Sequence, residues 1–327
     1  MRYTFPECDR YARGMTNLEG ASIIVVGATG GLGRHIARLL HERGAKLTLS
    51  ARNMTNLEAL GIPATFVPGD LADPNFARTL VATAVTANGK LDGVINAAGV
   101  VAFGPITELT NETLEQLWQV NAAGPVRVMR AAADSLAQSA ADGGQPFVVT
   151  LSGLVAETPT NGLAAYSAVK TALCAFSQVA ARELRRQKIR VLDARPGHTE
   201  TELSRHPIAG ETPKFPTGYL PEAVAGRIVD AIANGEKDLP STAFTDVPAA
   251  PTETVPAAEH PVEADMHPAA RMAAEMSLEV ATPLSAQSAA SAHSAASIHS
   301  ASSAHSPAST PAASSTQSVP PAPDSST

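Results

Sequence analysis

The chain has 327 residues, 44% of them hydrophobic and 17% charged, with a formal net charge of −7. That length admits one large domain or two small ones, and the lack of a basic excess excludes an extended nucleic-acid surface. No stretch holds the ~20 consecutive apolar residues that a membrane-spanning helix needs.

Taken in order, Met1 to Thr16 reads as a flexible leader, with Met15 an alternative start. Ala21-Ser22-Ile23-Ile24-Val25-Val26 is an apolar run that predicts a buried parallel strand over 22–27. Gly27-Ala28-Thr29-Gly30-Gly31-Leu32-Gly33 follows, then a helix near 31–43 with Ile36, Leu39 and Leu40 on one face. Strand, glycine loop and helix in that order form the setting of a dinucleotide fingerprint. The glycines let the backbone approach a pyrophosphate, and the helix N-terminus offers free N–H groups and a favourable dipole. Further strands are predicted at 46–51, 64–67, 92–96, 146–152 and 189–195, and helices near 73–88, 111–138, 163–187 and 221–235. A short last strand near 237–240 is stopped by Pro240. The alternation predicts an α/β fold, a Rossmann-type doubly wound parallel sheet with helices on both faces. Ligands then bind at the carboxyl ends of the strands, where Gly27, Asn96, Ser152 and Pro196 fall.

Tyr166-Ser167-Ala168-Val169-Lys170 lies inside the predicted helix 163–187. A Tyr and a Lys four apart share a helical face. A neighbouring ammonium favours the phenolate, so Lys170 is expected to lower the pKa of Tyr166 and fit it for proton transfer. Such a pair also occurs on ordinary surface helices, and the surrounding motifs decide between the two readings.

The loop Gly27-x-x-x-Gly31-x-Gly33 together with Tyr166-x-x-x-Lys170 resembles the short-chain dehydrogenase/reductase family. Asn96-Ala97-Ala98-Gly99 resembles the family's Asn-Asn-Ala-Gly segment, with Ala97 in place of the second Asn. Asn121 resembles the family's helix asparagine, Ser152 its catalytic serine, and Pro196 to Thr201 the loop that covers the nicotinamide. The resemblance runs from about Asn17 to Phe244. It implies an NAD(P)-dependent oxidoreductase in which hydride passes between nicotinamide and a carbonyl or alcohol carbon. Tyr166 would move the proton, with Ser152 on the substrate oxygen. Lys170 would hold the nicotinamide ribose, Asn121 would anchor a water, and Thr201 would contact the carboxamide. Gly27, Thr29, Gly31, Leu32, Gly33, Asn96, Gly99 and Pro196 would line the cofactor. One departure stands out: the serine usually precedes the tyrosine by about thirteen positions, where this chain has Gly153. Either an insertion within Leu154 to Ala164 restores Ser152 or the serine's role is weakened.

The second strand ends Ser50-Ala51-Arg52. An acid there would hold the adenosine ribose and favour NAD. A small residue and then a cation suit a 2′-phosphate, so NADP is expected, with NAD the alternative. Arg34 could add a second cation, and Asp70 either contacts the adenine amino group or caps its own turn. The reading is therefore an NADP-dependent oxidoreductase. The alternative is an NADP(H)-binding interaction protein with little turnover that recruits partners by its tail.

The domain is expected at 17–244 and an Ala/Ser/Pro-rich disordered tail at 245–327. From Ser241 onward there is one basic residue, Arg271, against eight acids, so this segment carries the whole formal charge. His293, His299 and His305 recur at a period of six, which does not gather them on a helix, and no metal site is expected. A transient helix is read at 269–280. Cys8 and Cys174 form no disulfide framework, and Met1 to Asn17 lacks the apolar core of a signal peptide, so a cytoplasmic location is expected. The expected partners are a small carbonyl or alcohol substrate and, through the helices near 111–138 and 163–187, further copies in a homodimer or homotetramer. Neither nucleic acid nor membrane is expected.

Overall fold

The structure is a computed structural model and describes residues 15–251. The leader before Met15, the histidine repeat and the helix read at 269–280 lie outside the described residues.

Six parallel strands are ordered β3-β2-β1-β4-β5-β6. They are β1 (Ser22–Val26), β2 (Lys46–Ala51), β3 (Ala64–Pro68), β4 (Gly93–Asn96), β5 (Phe147–Leu151) and β6 (Arg190–Ala194). Except for the outer strand β3, each forms where a short run is buried along most of its length. The connecting helices are α1 (Gly33–Glu42), α2 (Met54–Glu58), α3 (Phe76–Asn88), α4 (Asn111–Trp118), α5 (Gly124–Ala141), α6 (Ala164–Leu184), α7 (Glu202–Arg205) and α8 (Pro221–Ala233). On one face Ile23, Val25, Leu49 and Val149 pack with Ile36 and Leu40 of α1 and Ile228 and Ile232 of α8. On the other, Ile24, Val26, Val94 and Val148 meet Leu80 of α3, Val128 and Leu136 of α5 and Ala180 of α6.

Register places one polar row near the carboxyl edge. Val26 pairs with Ser50 on one side and Asn96 on the other, Asn96 pairs with Thr150, and Thr150 pairs with Asp193. Residues paired across parallel strands share a face, so this row lies on the side covered by α3, α5 and α6.

The single helix expected at 111–138 is instead two, joined by a π turn at Gln119–Ala123. Pro125 has no N–H to give the carbonyl of residue 121, so the regular ladder cannot continue there. Gly124 N bonds Gln119 O instead, which widens the turn by one residue. The expected last strand is reduced to a parallel bridge between Leu239 and Ala194.

Backbone pairing also extends past the expected domain limits. Thr16 N donates to Ala233 O at 2.8 Å. Leu220 N donates to Pro248 O at 3.0 Å and Ala250 N to Gly218 O at 2.8 Å.

Candidate active site

The turn from β1 into α1 is built so that only glycine fits at key points. Gly27 has φ +77°, and a β-carbon there would lie 2.6 Å from the Ala98 backbone. At Gly33 it would lie 2.0 Å from Gly27 O, and at Gly31 2.4 Å from Thr201 Cβ. The loop after β6 therefore rests directly on the glycine turn. Leu32 begins α1 without a side-chain cap, and the first turn holds no acid. Arg34 N donates to Gly30 O at 3.1 Å, and the other N–H groups of the first turn and the dipole suit an anion. These features fit the pyrophosphate of a dinucleotide. Thr29 lies within this turn. Ala51 ends β2, and Arg52 beyond it is exposed, as is Arg34 at the start of α1. Neither guanidinium has an ion-pair partner among the described residues. Asp70 Oδ1 accepts Ala72 N at 2.9 Å, capping its own turn.

The polar row continues the site across the sheet. Asn96 is 2% exposed, and both its side-chain nitrogen and oxygen lack a hydrogen-bond partner. A buried unpaired amide is costly, which makes Asn96 a fitting contact for a bound polar group. Gly99, just beyond β4, leaves room between Asn121 and Lys170: a β-carbon there would lie 3.0 Å from Asn121 Oδ1 and 3.8 Å from Lys170 Nζ. Asn121, in the π turn, is fully buried. Its Nδ2 donates to Val100 O at 2.9 Å and to Leu117 O at 3.0 Å, and its Oδ1 accepts Val100 N at 3.2 Å. Its side chain thus fastens the segment after β4 to α4.

Tyr166 and Lys170 leave α6 on the same face, with Nζ 5.7 Å from the ring centroid. Lys170 is buried, and Nζ donates to Leu151 O at 2.7 Å. The four-residue spacing predicts a lowered Tyr166 pKa. The structure reverses this: burial pushes the phenol well above its ordinary value. The same desolvation brings Lys170 down to about 8, against the field of Asp193, which raises it. The charge expected to stabilise a phenolate is itself weakened by the burial that disfavours one.

Ser152, read as the residue on the substrate oxygen, is engaged by a different partner. Ser152 is fully buried and its hydroxyl donates to Asp193 Oδ2. Thr150, two residues earlier and on the same face, donates to Asp193 Oδ1 at 2.7 Å. Alternation along a strand carries both hydroxyls under α6. Arg195 Nη1 donates to Asp193 Oδ2 at 3.0 Å, Nη2 bonds both oxygens of Asp238 at 2.8 Å, and Nε bonds Glu157. Gly153, at the usual serine offset, has φ +76°, a conformation that a serine adopts only under strain. Leu154 N then donates to Pro196 O at 2.9 Å, joining this loop to the one after β6.

Phe215 and the apolar pocket near it were not legible beforehand. Phe215 stacks on His198 with centroids 4.5 Å apart and meets Phe103 at 5.8 Å. His198 Nε2 lies 3.3 Å from Glu200 Oε1. His206 is exposed, and its Nε2 lies 3.0 Å from Glu202 Oε2. Beside this cluster an apolar pocket is lined by Ala102, Phe103, Ile106, Leu109, Leu163 and Ala165, the last adjoining Tyr166. No signal in one sequence joins these three segments. Among the described residues, no cluster of three or more His, Cys, Asp or Glu could hold a metal, and no helix is long and apolar enough to cross a membrane.

Comparison with known proteins gives this geometry a lineage. The family model described as short chain dehydrogenase matches residues 21–211. An uncharacterized oxidoreductase of Methylorubrum extorquens is 34% identical over 196 residues, covering 58% of this chain and 77% of its own. The mouse dehydrogenase/reductase SDR family member 7B is 29% identical, covering 62% of this chain, which spans only 65% of that protein's length. A crystal structure of a metagenomic short-chain oxidoreductase in complex with NADP superposes with a TM-score of 0.58 at 26% identity, over 69% of this chain and 98% of that one. The chain belongs to the short-chain dehydrogenase family and is an oxidoreductase that works with a nicotinamide cofactor.

Proposed function

We propose that the protein is an NADPH-dependent carbonyl reductase in which Tyr166 protonates the substrate oxygen. The observation that carries this is the phenol itself. Its ring lies 5.7 Å from Lys170 Nζ on one face of α6, and its surroundings raise its pKa, so that it keeps its proton. A protonated tyrosine can donate at once to an oxygen that gains charge, which is the requirement of reduction. The nicotinamide supplies the hydride when bound. Lys170, anchored on Leu151 O, would hold the ribose beside Gly99 and Asn96, and Thr201 would close over the carboxamide from its seat on Gly31. Asn121 would keep the segment after β4 in place, and Pro196 would fix the covering loop. Arg52 and Arg34, exposed at the ends of β2 and the glycine turn, would meet a 2′-phosphate and favour NADP. An NADP-bound relative at 26% identity supports that preference.

The folded domain is taken as the body of residues 15–251, with partners limited to a small carbonyl or alcohol substrate and a second copy. Exposed Leu114 and Trp118 on α4 and Phe176 and Val179 on α6 support self-association through these helices. The test is a screen of aldehydes, ketones and alcohols with NADPH and NADH, followed at the nicotinamide absorbance. Turnover of carbonyls with NADPH above NADH is expected. A second reading, binding of NADP(H) with little turnover, draws on Gly153 and the withdrawn Ser152 hydroxyl. Tight NADPH binding with no turnover across the panel would select it.

A further inference from the structure

The polar network beneath α6 is absorbed by neither the cofactor site nor the substrate pocket. Asp193 is 4% exposed and receives Thr150, Ser152 and Arg195. Arg195 is 5% exposed and is shared among Asp193, Glu157 and Asp238. One guanidinium facing three carboxylates leaves the cluster with an excess of negative charge. A further cation, Lys170, reaches over the end of β5 to Leu151 O, one residue before Ser152. We propose that Asp193 is a positioning residue for the Tyr166–Lys170 pair, drawing the Ser152 hydroxyl out of the cleft and sustaining the ammonium of Lys170. This deepens the function proposed above and rests on Lys170 serving the cofactor.

A lysine buried this deeply sheds its proton unless a negative charge lies near. The charged and titratable groups around Lys170 are Tyr166 and Cys174, one turn before and after it on α6, and the cluster of Asp193 and Arg195 with Glu157 and Asp238 bonded to Arg195. Arg195 opposes the ammonium and the carboxylates favour it. Asp193 holds Ser152, the residue next to Leu151 whose carbonyl holds Nζ, and from there its charge raises the pKa of Lys170 against desolvation. Its bonds to Thr150 and Ser152 fix it in place, so this field is steady rather than fluctuating.

The test compares wild type with Asp193→Asn, each with and without Lys170→Met, by thermal unfolding between pH 6 and 10. The Lys170→Met difference isolates the titration of that lysine. In wild type the difference is expected to shrink as pH rises past about 8. In the Asp193→Asn background the shrinkage is expected to begin about one pH unit lower, the usual scale for losing one nearby opposite charge. NADPH fluorescence titration over the same range should show affinity falling at the same pH values. If Asp193→Asn does not fold, Glu157→Gln, a change on a partly exposed loop, should move both limbs the same way by less. Limbs that stay where they are in every variant that folds would overturn the proposal. A wild type that binds no NADPH at any pH would overturn the function proposed above, while the unfolding limbs still decide the role of Asp193.

Discussion

Lys170 Nζ donates to the carbonyl of Leu151 at 2.7 Å, so the base of the candidate catalytic helix is tied to the tip of β5. The tie holds the ammonium below the phenol of Tyr166 and beside Gly99. It also buries a charge, and that tension sets what substitution at either residue should do.

Tyr166→Phe should lower turnover by about 10²–10⁴-fold, the usual contribution of a positioned proton donor. The ring and its packing remain, so NADPH affinity should stay within a few-fold of wild type. Steady-state rates and fluorescence titration on the same preparation check both parts. Turnover near that of wild type would remove Tyr166 from the chemistry.

Lys170→Met should abolish activity yet raise the melting temperature at pH 7. The folded-state pKa of about 8 lies below the ordinary 10.5, so the unfolded chain binds more protons between those values. Stability therefore rises with pH through that window, and below it the burial penalty is present in full. Removing the charge should add on the order of 2 kcal/mol at pH 7, after the lost bond to Leu151 is set against the relief. At pH 10 the advantage should shrink.

Ser152→Ala separates two roles for one hydroxyl. A group on the substrate oxygen would cost about 10²-fold or more in kcat. A hydroxyl that only serves the buried Asp193 should cost less than about tenfold in kcat and mostly stability, roughly 1–2 kcal/mol. Rates and melting curves of the one variant tell these apart.

Arg52→Ala should weaken NADPH by about 1.5–3 kcal/mol, the worth of a charge-assisted hydrogen bond, and barely affect NADH. Titration of both cofactors measures the split. Equal losses would place the 2′-phosphate elsewhere.

Chain truncation should respect the bridge between Tyr219 and Ala249. A protein ending at Pro251 should keep its melting temperature and turnover. One ending at Asp246 loses the bonds of Pro248 and Ala250 to the segment after β6, and should melt a few degrees lower.

The strands were legible because each is a short apolar run ended by a turn residue, and all six lie within a residue or two of their expected bounds. The glycine turn was legible because its spacing follows from steric need, as Gly33 against Gly27 O shows. Pro125 carried the signal for the π turn, but its small neighbours Ala122, Ala123 and Gly124 read as helix and concealed it. The orientation of Ser152 was available from simple alternation with Thr150. What they point at was not, since Glu157, Asp193, Arg195 and Asp238 come from three separate segments that only the sheet's register brings together. The phenol's pKa was misjudged because sequence shows the nearby charge and not the depth of burial.

The bridge at Leu239 has a bearing on how this chain keeps out of trouble in a crowded solution. β6 is the outer strand of its sheet, and an outer strand with bare amides invites a stranger to pair with it. Here one residue, Leu239, occupies the gap with bonds to Asp193 and Arg195, and Pro240 stops any longer ladder. Asp238 and Ser241, on either side, are fastened to Arg195 and to Glu157. The clamp behind the candidate catalytic helix is thus also the guard of an open sheet edge. Damage to it would show first as sticky, precipitating protein rather than as a slow enzyme.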